Sequence, residues 1–213
     1  MNKPKTLLIC PPGTIEVYGK KKDVVPHIPY ISLASLAGSL LRANYEVHIV
    51  DLSIVDDVDK ELAEKMEIYK PDYVGITFTT PLSKVAIRLA EKIKKISPAS
   101  VLMGGGVHAT TLPKETLEKS VFDLLVLGEG EDTILDLVSG KDWGQIAGIA
   151  FKKDNEIIIN PRRPLIHDLD ALPYPAWHLF DLPKYKTARI CTRKSRVGAI
   201  ETSRGCVFGC NFC

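Results

Sequence analysis

Eight residues, Cys206-Val-Phe-Gly-Cys210-Asn-Phe-Cys213, carry the plainest chemistry in this sequence, a C-x3-C-x2-C pattern. Three thiolates on one tight loop can hold three irons of a [4Fe–4S] cluster and leave the fourth iron open. An open iron can chelate the amino and carboxylate groups of a ligand, which a four-cysteine site cannot. The other reading of Cys206, Cys210 and Cys213 is a zinc site completed by a fourth ligand. Structural zinc takes paired C-x2–4-C or C…H spacings; none is visible, and Cys191 is an awkward partner. The five cysteines are odd in number and three of them cluster, which fits a metal in a reducing compartment better than a disulfide framework.

Such a loop needs a scaffold, and residues 1–140 describe one. Short apolar runs rich in β-branched residues alternate with longer runs at helical spacing. The strands are expected at Leu7–Cys10, Val47–Asp51, Tyr73–Thr77, Val101–Met103 and Leu124–Leu127. Each is nearly all apolar, as for strands buried on both faces of a parallel sheet. Between them, Ser32 is placed to cap a helix with Leu33, Leu36, Ala37, Leu40 and Leu41 on its inner face, and Asp56 or Asp57 a second carrying Leu62, Met66 and Tyr69. Thr80-Pro81 fits N-cap and first position of a third, which buries Val85, Leu89, Ile93 and Ile96. A fourth spans about Glu131–Val138. The fold class that follows is α/β: a doubly wound, Rossmann- or flavodoxin-like sheet of five parallel strands with helices on both faces.

Ligands on such sheets bind beyond the carboxyl ends of the strands, near the switch in strand order. The segments there are Pro11-Pro12-Gly13, Phe78-Thr79-Thr80, Gly104-Gly105-Gly106-Val107-His108 and Gly128-Glu129-Gly130-Glu131. Glycine lets a ligand approach the backbone and leaves N–H groups free. His108 is either a contact to the ligand or substrate or a polar loop residue hydrogen-bonded to backbone, and the second reading is the simpler. Glu129 and Glu131 either touch a ligand or steady the dipole of the following helix.

Beyond residue 140 the pattern changes. Ile146–Phe151 and Ile157–Ile159, around the turn-prone Asp154-Asn155, read as a hairpin. Residues 160–185 are a proline-rich linker whose Leu169, Leu172, Trp177, Leu179 and Phe180 pin it to a surface. Val197–Thr202 reads as one more strand, leading through Ser203-Arg204-Gly205 into the cysteines. The organisation is thus 1–140, an α/β domain; 141–195, hairpin and linker; and 196–213, the start of a further domain.

Composition narrows the function classes. Apolar residues make up 45% and charged residues 25%, as in a globular protein, and the net charge of +2 implies no polyanion partner. Lys20–Lys22 and the scatter Arg189, Arg193, Lys194 and Arg196 read as solvated faces, and no nucleic-acid module is evident. No apolar run approaches a membrane span or a signal-peptide core, so a cytoplasmic location is expected.

The cysteine spacing, the strand before it and the aromatic just ahead of the last cysteine resemble the radical S-adenosylmethionine superfamily. Earlier stretches, Ile31-Ser-Leu-Ala-Ser-Leu-Ala37, Val47-His-Ile-Val-Asp51, Gly104-Gly-Gly-Val-His-Ala-Thr110, Leu127-Gly-Glu-Gly-Glu131 and Asp168–Trp177, resemble the N-terminal domain of its cobalamin-binding subgroup. The resemblance implies that Cys206, Cys210 and Cys213 bind a [4Fe–4S] cluster and that Phe212 lies near the adenine of S-adenosylmethionine. It implies that the strand before the cysteines opens a partial (β/α) barrel, and that a corrinoid lies on the rim loops facing that barrel. The activity implied is that of a methyltransferase-type enzyme, with a small-molecule substrate and an electron donor as partners. The family barrel continues well past Cys213, so this chain alone is expected to be inactive. The D-x-H-x-x-G pattern of other cobalamin proteins is absent: His27, His48, His108, His167 and His178 all lie outside it. Two readings stand beside this one, a cobalamin-binding module without catalysis and a degenerate scaffold binding no cofactor. A flavodoxin-like FMN site is a weaker fourth, because Pro11-Pro12-Gly13-Thr14 poorly matches the Ser/Thr-rich loop it needs.

Overall fold

A computed structural model describes residues 3–13, 28–154, 156–185 and 198–211. Lys20–Lys22, His27, Asn155, Arg189, Cys191, Arg193, Lys194, Arg196, Phe212 and Cys213 lie outside the described residues. The parallel strands are β1 (Thr6–Cys10), β2 (Val47–Asp51), β3 (Tyr73–Thr77), β4 (Val101–Gly105) and β5 (Leu124–Val126). The helices are α1 (Ile31–Arg42), α2 (Val58–Tyr69), α3 (Ser83–Ile96), α4 (Val107–Thr111), α5 (Pro113–Glu118) and α6 (Glu131–Val138). Among the described residues no helix is long and apolar enough to cross a membrane.

Alternation along the strands sorts their side chains into two cores. Leu7, Ile9, Val74, Ile76, Leu102 and Leu125 meet α2, α3, α4 and α5 on one face. Leu8, Cys10, Met103 and Leu124 meet Leu33, Ala37 and Leu40 of α1 and Ile134 and Leu137 of α6 on the other. Helices therefore cover both faces, and the strand order β2-β1-β3-β4-β5 reverses direction between β1 and β3. Each fully buried leucine or isoleucine contributes about 1.5–3 kcal/mol, so these two cores outweigh any single surface ion pair, worth about 0–1 kcal/mol.

The sheet is larger than the five strands expected. The hairpin β6 (Ile149–Lys153) and β7 (Glu156–Ile159) adds to β5 antiparallel, Leu124 opposite Phe151, and makes a seven-stranded sheet. The reason is the β5 edge, which would otherwise present unpaired backbone groups. Ile146 is not in a strand; it is buried just after a short 3₁₀ turn, Trp143–Gln145.

Smaller corrections concern helix ends. Asp57 caps α2 as expected, accepting from the Lys60 N–H at 3.0 Å. Ser32 does not cap α1, which starts at Ile31 behind Tyr30 with no side-chain cap. Thr80-Pro81 belongs to a 3₁₀ turn, Thr80–Leu82, that feeds α3. Ile96 is exposed rather than buried, at the last residue of α3. Residues 198–202 are not a strand: no strand pairs with them among the described residues, and Ile200 is exposed.

The linker is fastened to α1 and β2. The Ala176 N–H donates to Ala34 O at 2.8 Å, and the Arg42 guanidinium bonds Ala171 O. Gly38 makes this approach possible, since a Cβ there would stand 2.6 Å from Tyr174 O. Ala176 and Phe180 are buried, with Trp177 packed against them on the α1 side. At the far end the Tyr185 hydroxyl donates to Asp51 Oδ2 at 2.8 Å, while Asp51 Oδ1 accepts from the Ser53 N–H and hydroxyl. Burial, then the Asp51 carboxylate, pushes the Tyr185 hydroxyl well up. Burial and Asp51 do the same to the Cys10 thiol. Tyr185→Phe strands a buried carboxylate oxygen and is expected to cost about 1–3 kcal/mol in urea unfolding. A raised tyrosine stabilises fully below its unfolded value of about 10, so wild-type stability should fall as the pH rises above that, and less so in the variant.

Candidate functional site

The rim at the carboxyl ends of β3, β4 and β5 opens into a cavity of about 460 Å³ on the α1/α6 face of the sheet. Its floor lies where side chains are missing or slender: Gly75 and Gly105 on the strands, beside Leu8 and Met103. A Cβ at Gly75 would stand 3.0 Å from Leu8 and 3.5 Å from Met103, and one at Gly105 would meet only Val126 O at 3.9 Å. The wall is the first turn of α1, Ile31–Leu33, with Tyr30 and Leu36. The roof is Gly128–Glu131, running into α6.

The expected rim segments divide. Thr79, Gly104, Gly105, Gly106, Val107, Gly128, Glu129, Gly130 and Glu131 line the cavity. Pro11, Pro12 and Gly13 do not; they are buried, and a Cβ at Gly13 would stand 2.2 Å from the Leu82 side chain. That glycine serves packing. Thr80 and His108 are also absent from the lining and approach each other, Nδ1 to Oγ1 at 3.2 Å, with the imidazole tilted against Phe78. His108 thus meets a side chain rather than the backbone expected, and it lies in α4 rather than in a loop.

The glycines differ in what they do. Gly104 faces the opposite core, where a Cβ would stand 2.6 Å from Leu125 beside the stacked Phe78 and Phe122 rings. Gly106 has φ 96°, and a Cβ there would stand 2.7 Å from Phe78 O. Both conformation and contact require glycine at that turn.

Glu129 and Glu131 have a partner that the sequence reading did not assign. Glu131 is buried and accepts from Ser35 Oγ at 2.8 Å and from Arg204 Nη2 at 2.6 Å. Glu129 accepts from the Ile166 N–H at 2.6 Å and from Arg204 Nη1 at 3.2 Å. Burial alone would push the Glu131 carboxyl up; the hydrogen bonds from Arg204 and Ser35 outweigh it and hold it below the usual carboxylate value. Glu131 also opens α6, where a negative charge suits the helix dipole.

Sequence reasoning missed Gly75, the Tyr30–Leu36 wall and Arg204. A glycine inside the apolar run Tyr73–Thr77 was the available signal, because strand-interior glycine often marks a close approach. Arg204 gave no signal, since its partners are remote in sequence. Two residues beyond it, Cys206 is an exposed free thiol, as is Cys210. Among the described residues no group of three or more His, Cys, Asp or Glu is placed to hold a metal ion; Cys213 is not among them.

Comparison with known proteins fits this geometry. A family model described as the B12 binding domain matches residues 23–138. An uncharacterized methyltransferase of Pyrococcus horikoshii is 34% identical over 98% of this chain and 45% of its own length. An anaerobic magnesium-protoporphyrin IX monomethyl ester cyclase of Rubrivivax gelatinosus is 32% identical over 90% of this chain and 36% of its own. The solved structure of the radical S-adenosylmethionine methyltransferase TsrM from Kitasatospora setae, with cobalamin and a [4Fe–4S] cluster bound, superposes with a TM-score of 0.64 at 22% identity. It covers 76% of this chain and 31% of that one. The chain thus spans less than half the length of each of these relatives.

Proposed function

The chain belongs to the B12-binding domain family, and on that premise we propose that the rim cavity is where it receives a corrinoid. We infer further that it is the front part of a methyltransferase-type radical S-adenosylmethionine enzyme, with Cys206, Cys210 and Cys213 as ligands of a [4Fe–4S] cluster. The observation that carries the first reading is the side-chain-free floor at Gly75 and Gly105, opening under the glycine-rich rim. A corrinoid is far larger than about 460 Å³, so the cavity would hold part of it and the glycine-rich rim, Gly104–Gly106 and Gly128–Gly130, would hold the remainder. Cavities that hold cofactors are mostly apolar with few polar groups, and Leu8, Met103, Val126 and Ile134 supply that lining here.

When bound, the corrinoid would supply methyl transfer and the cluster the electron that cleaves S-adenosylmethionine. The chain's own contributions are binding and exclusion. Gly105 and Gly106 bring backbone to the cavity, and Tyr30, Ile31 and Leu36 wall one side from water. The first turn of α1 has no side-chain cap, so its N–H groups can donate to an anionic part of the ligand. His48, His108, His167 and His178 are not among the cavity-lining residues. The cysteine pattern and the relatives named above support the cluster reading.

Anaerobic titration with hydroxocobalamin, followed by desalting and visible spectroscopy, tests the corrinoid reading. Stoichiometric retention is the expected result. No retention by a chain shown folded by circular dichroism would replace it with the scaffold reading.

A further inference from the structure

Arg204 uses every nitrogen of its guanidinium. Nη1 reaches Glu129 Oε1 at 3.2 Å, Nη2 reaches Glu131 Oε1 at 2.6 Å and Ser35 Oγ at 3.5 Å, and Nε reaches Glu201 Oε2 at 2.8 Å. The side chain is only 21% exposed. Ser35 lies on α1, while Glu129 and Glu131 flank Gly130 on the roof of the cavity. One residue thus joins both walls of the cavity mouth to the segment that carries the cysteines. Among the described residues little else holds that segment: Val207 is 94% and Phe208 76% exposed, and Gly205, at φ 79°, turns the chain straight after the arginine.

We propose that Arg204 is a positioning residue that seats the Cys206–Cys210 loop on the cavity roof, fixing where a cluster on that loop stands relative to a ligand in the cavity. The proposal rests on the cavity reading above for the identity of that ligand, but the seat itself does not. A rigid fork satisfies two carboxylates at once, and a lysine ammonium can satisfy them only one at a time or loosely. Two charge-assisted bonds from one partly buried group are enough that losing them should lower the seated population at least about tenfold.

The test uses the full chain with Cys191, Cys206 and Cys213 changed to serine and a fluorophore on Cys210. Its anisotropy is compared among the otherwise wild-type chain, Arg204→Ala, Arg204→Lys and Glu131→Gln. Hydroxocobalamin is then added and its quenching of the label recorded. The expected result is high anisotropy in the parent, a fall towards that of a labelled unstructured peptide in Arg204→Ala, and partial retention in Arg204→Lys and Glu131→Gln. Circular dichroism should be unchanged in the two Arg204 variants, because residues 198–211 contribute to neither core. Quenching by the corrinoid should weaken in the same order. Equal anisotropy in the parent and Arg204→Ala overturns the proposal. A fall in anisotropy with no quenching in the parent upholds the seat and overturns the corrinoid reading instead.

Discussion

Cys206→Ala and Cys210→Ala are each expected to abolish assembly of an iron–sulfur cluster on the anaerobically reconstituted chain. A site-differentiated [4Fe–4S] cluster has only three protein thiolates, so removing one leaves two, too few to hold it. Both thiols are exposed and outside the cores, so the loss should come with an unchanged circular dichroism spectrum and unchanged unfolding midpoint. Iron and sulfide content, with the broad visible absorbance of the cluster, reads the outcome. Full iron in either variant would rule out the cysteine changed in it as a ligand. Stoichiometric zinc without iron in the wild-type chain would revive the structural-metal reading.

The second large effect is expected from Gly105→Phe. Gly105 ends β4 in ordinary extended backbone, and a Cβ there meets only Val126 O at 3.9 Å. A ring added at this point therefore grows into the cavity rather than into the core. It should weaken hydroxocobalamin retention about hundredfold, equivalent to about 3 kcal/mol of lost contact, while leaving thermal unfolding nearly unchanged. Gly106 would not serve the same purpose: its φ of 96° and the 2.7 Å approach to Phe78 O mean that any side chain there disturbs the turn itself. Retention as tight in Gly105→Phe as in the wild type would place the ligand elsewhere on the rim.

Much of the scaffold was legible because the strands are buried on both faces and so read as continuous apolar runs. β2 and β3 fall where they were expected, and β4 differs only in running on through Gly104 and Gly105. What could not be read was pairing at a distance. Nothing local in Ile149–Lys153 says that it lies antiparallel to β5, because that contact answers an unpaired edge formed elsewhere. The rim loops show the same division. Gly104–Gly106 and Gly128–Gly130 were recognisable by composition and do line the cavity. Pro11–Gly13 had an equally suggestive composition but is taken up by packing against Leu82. Arg204 stood unremarked before the cysteines because its partners, Ser35, Glu129 and Glu131, lie 169, 75 and 73 residues away.

The fastening of residues 160–185 has a bearing on where this protein can be cut. The segment leaves β7 at one edge of the sheet, crosses α1 through Gly38 and Ala34, and finishes on Asp51 of β2 at the other edge. It acts as a girth strap, and its burial of Ala176, Phe180 and Tyr185 merges it with the α1-side core. Segments joined in this way open together rather than one by one. A chain ending after Tyr185 is therefore expected to unfold at higher urea than one ending at residue 140, where the composition changes. A domain graft or a minimal cofactor carrier made from this chain should keep the strap whole.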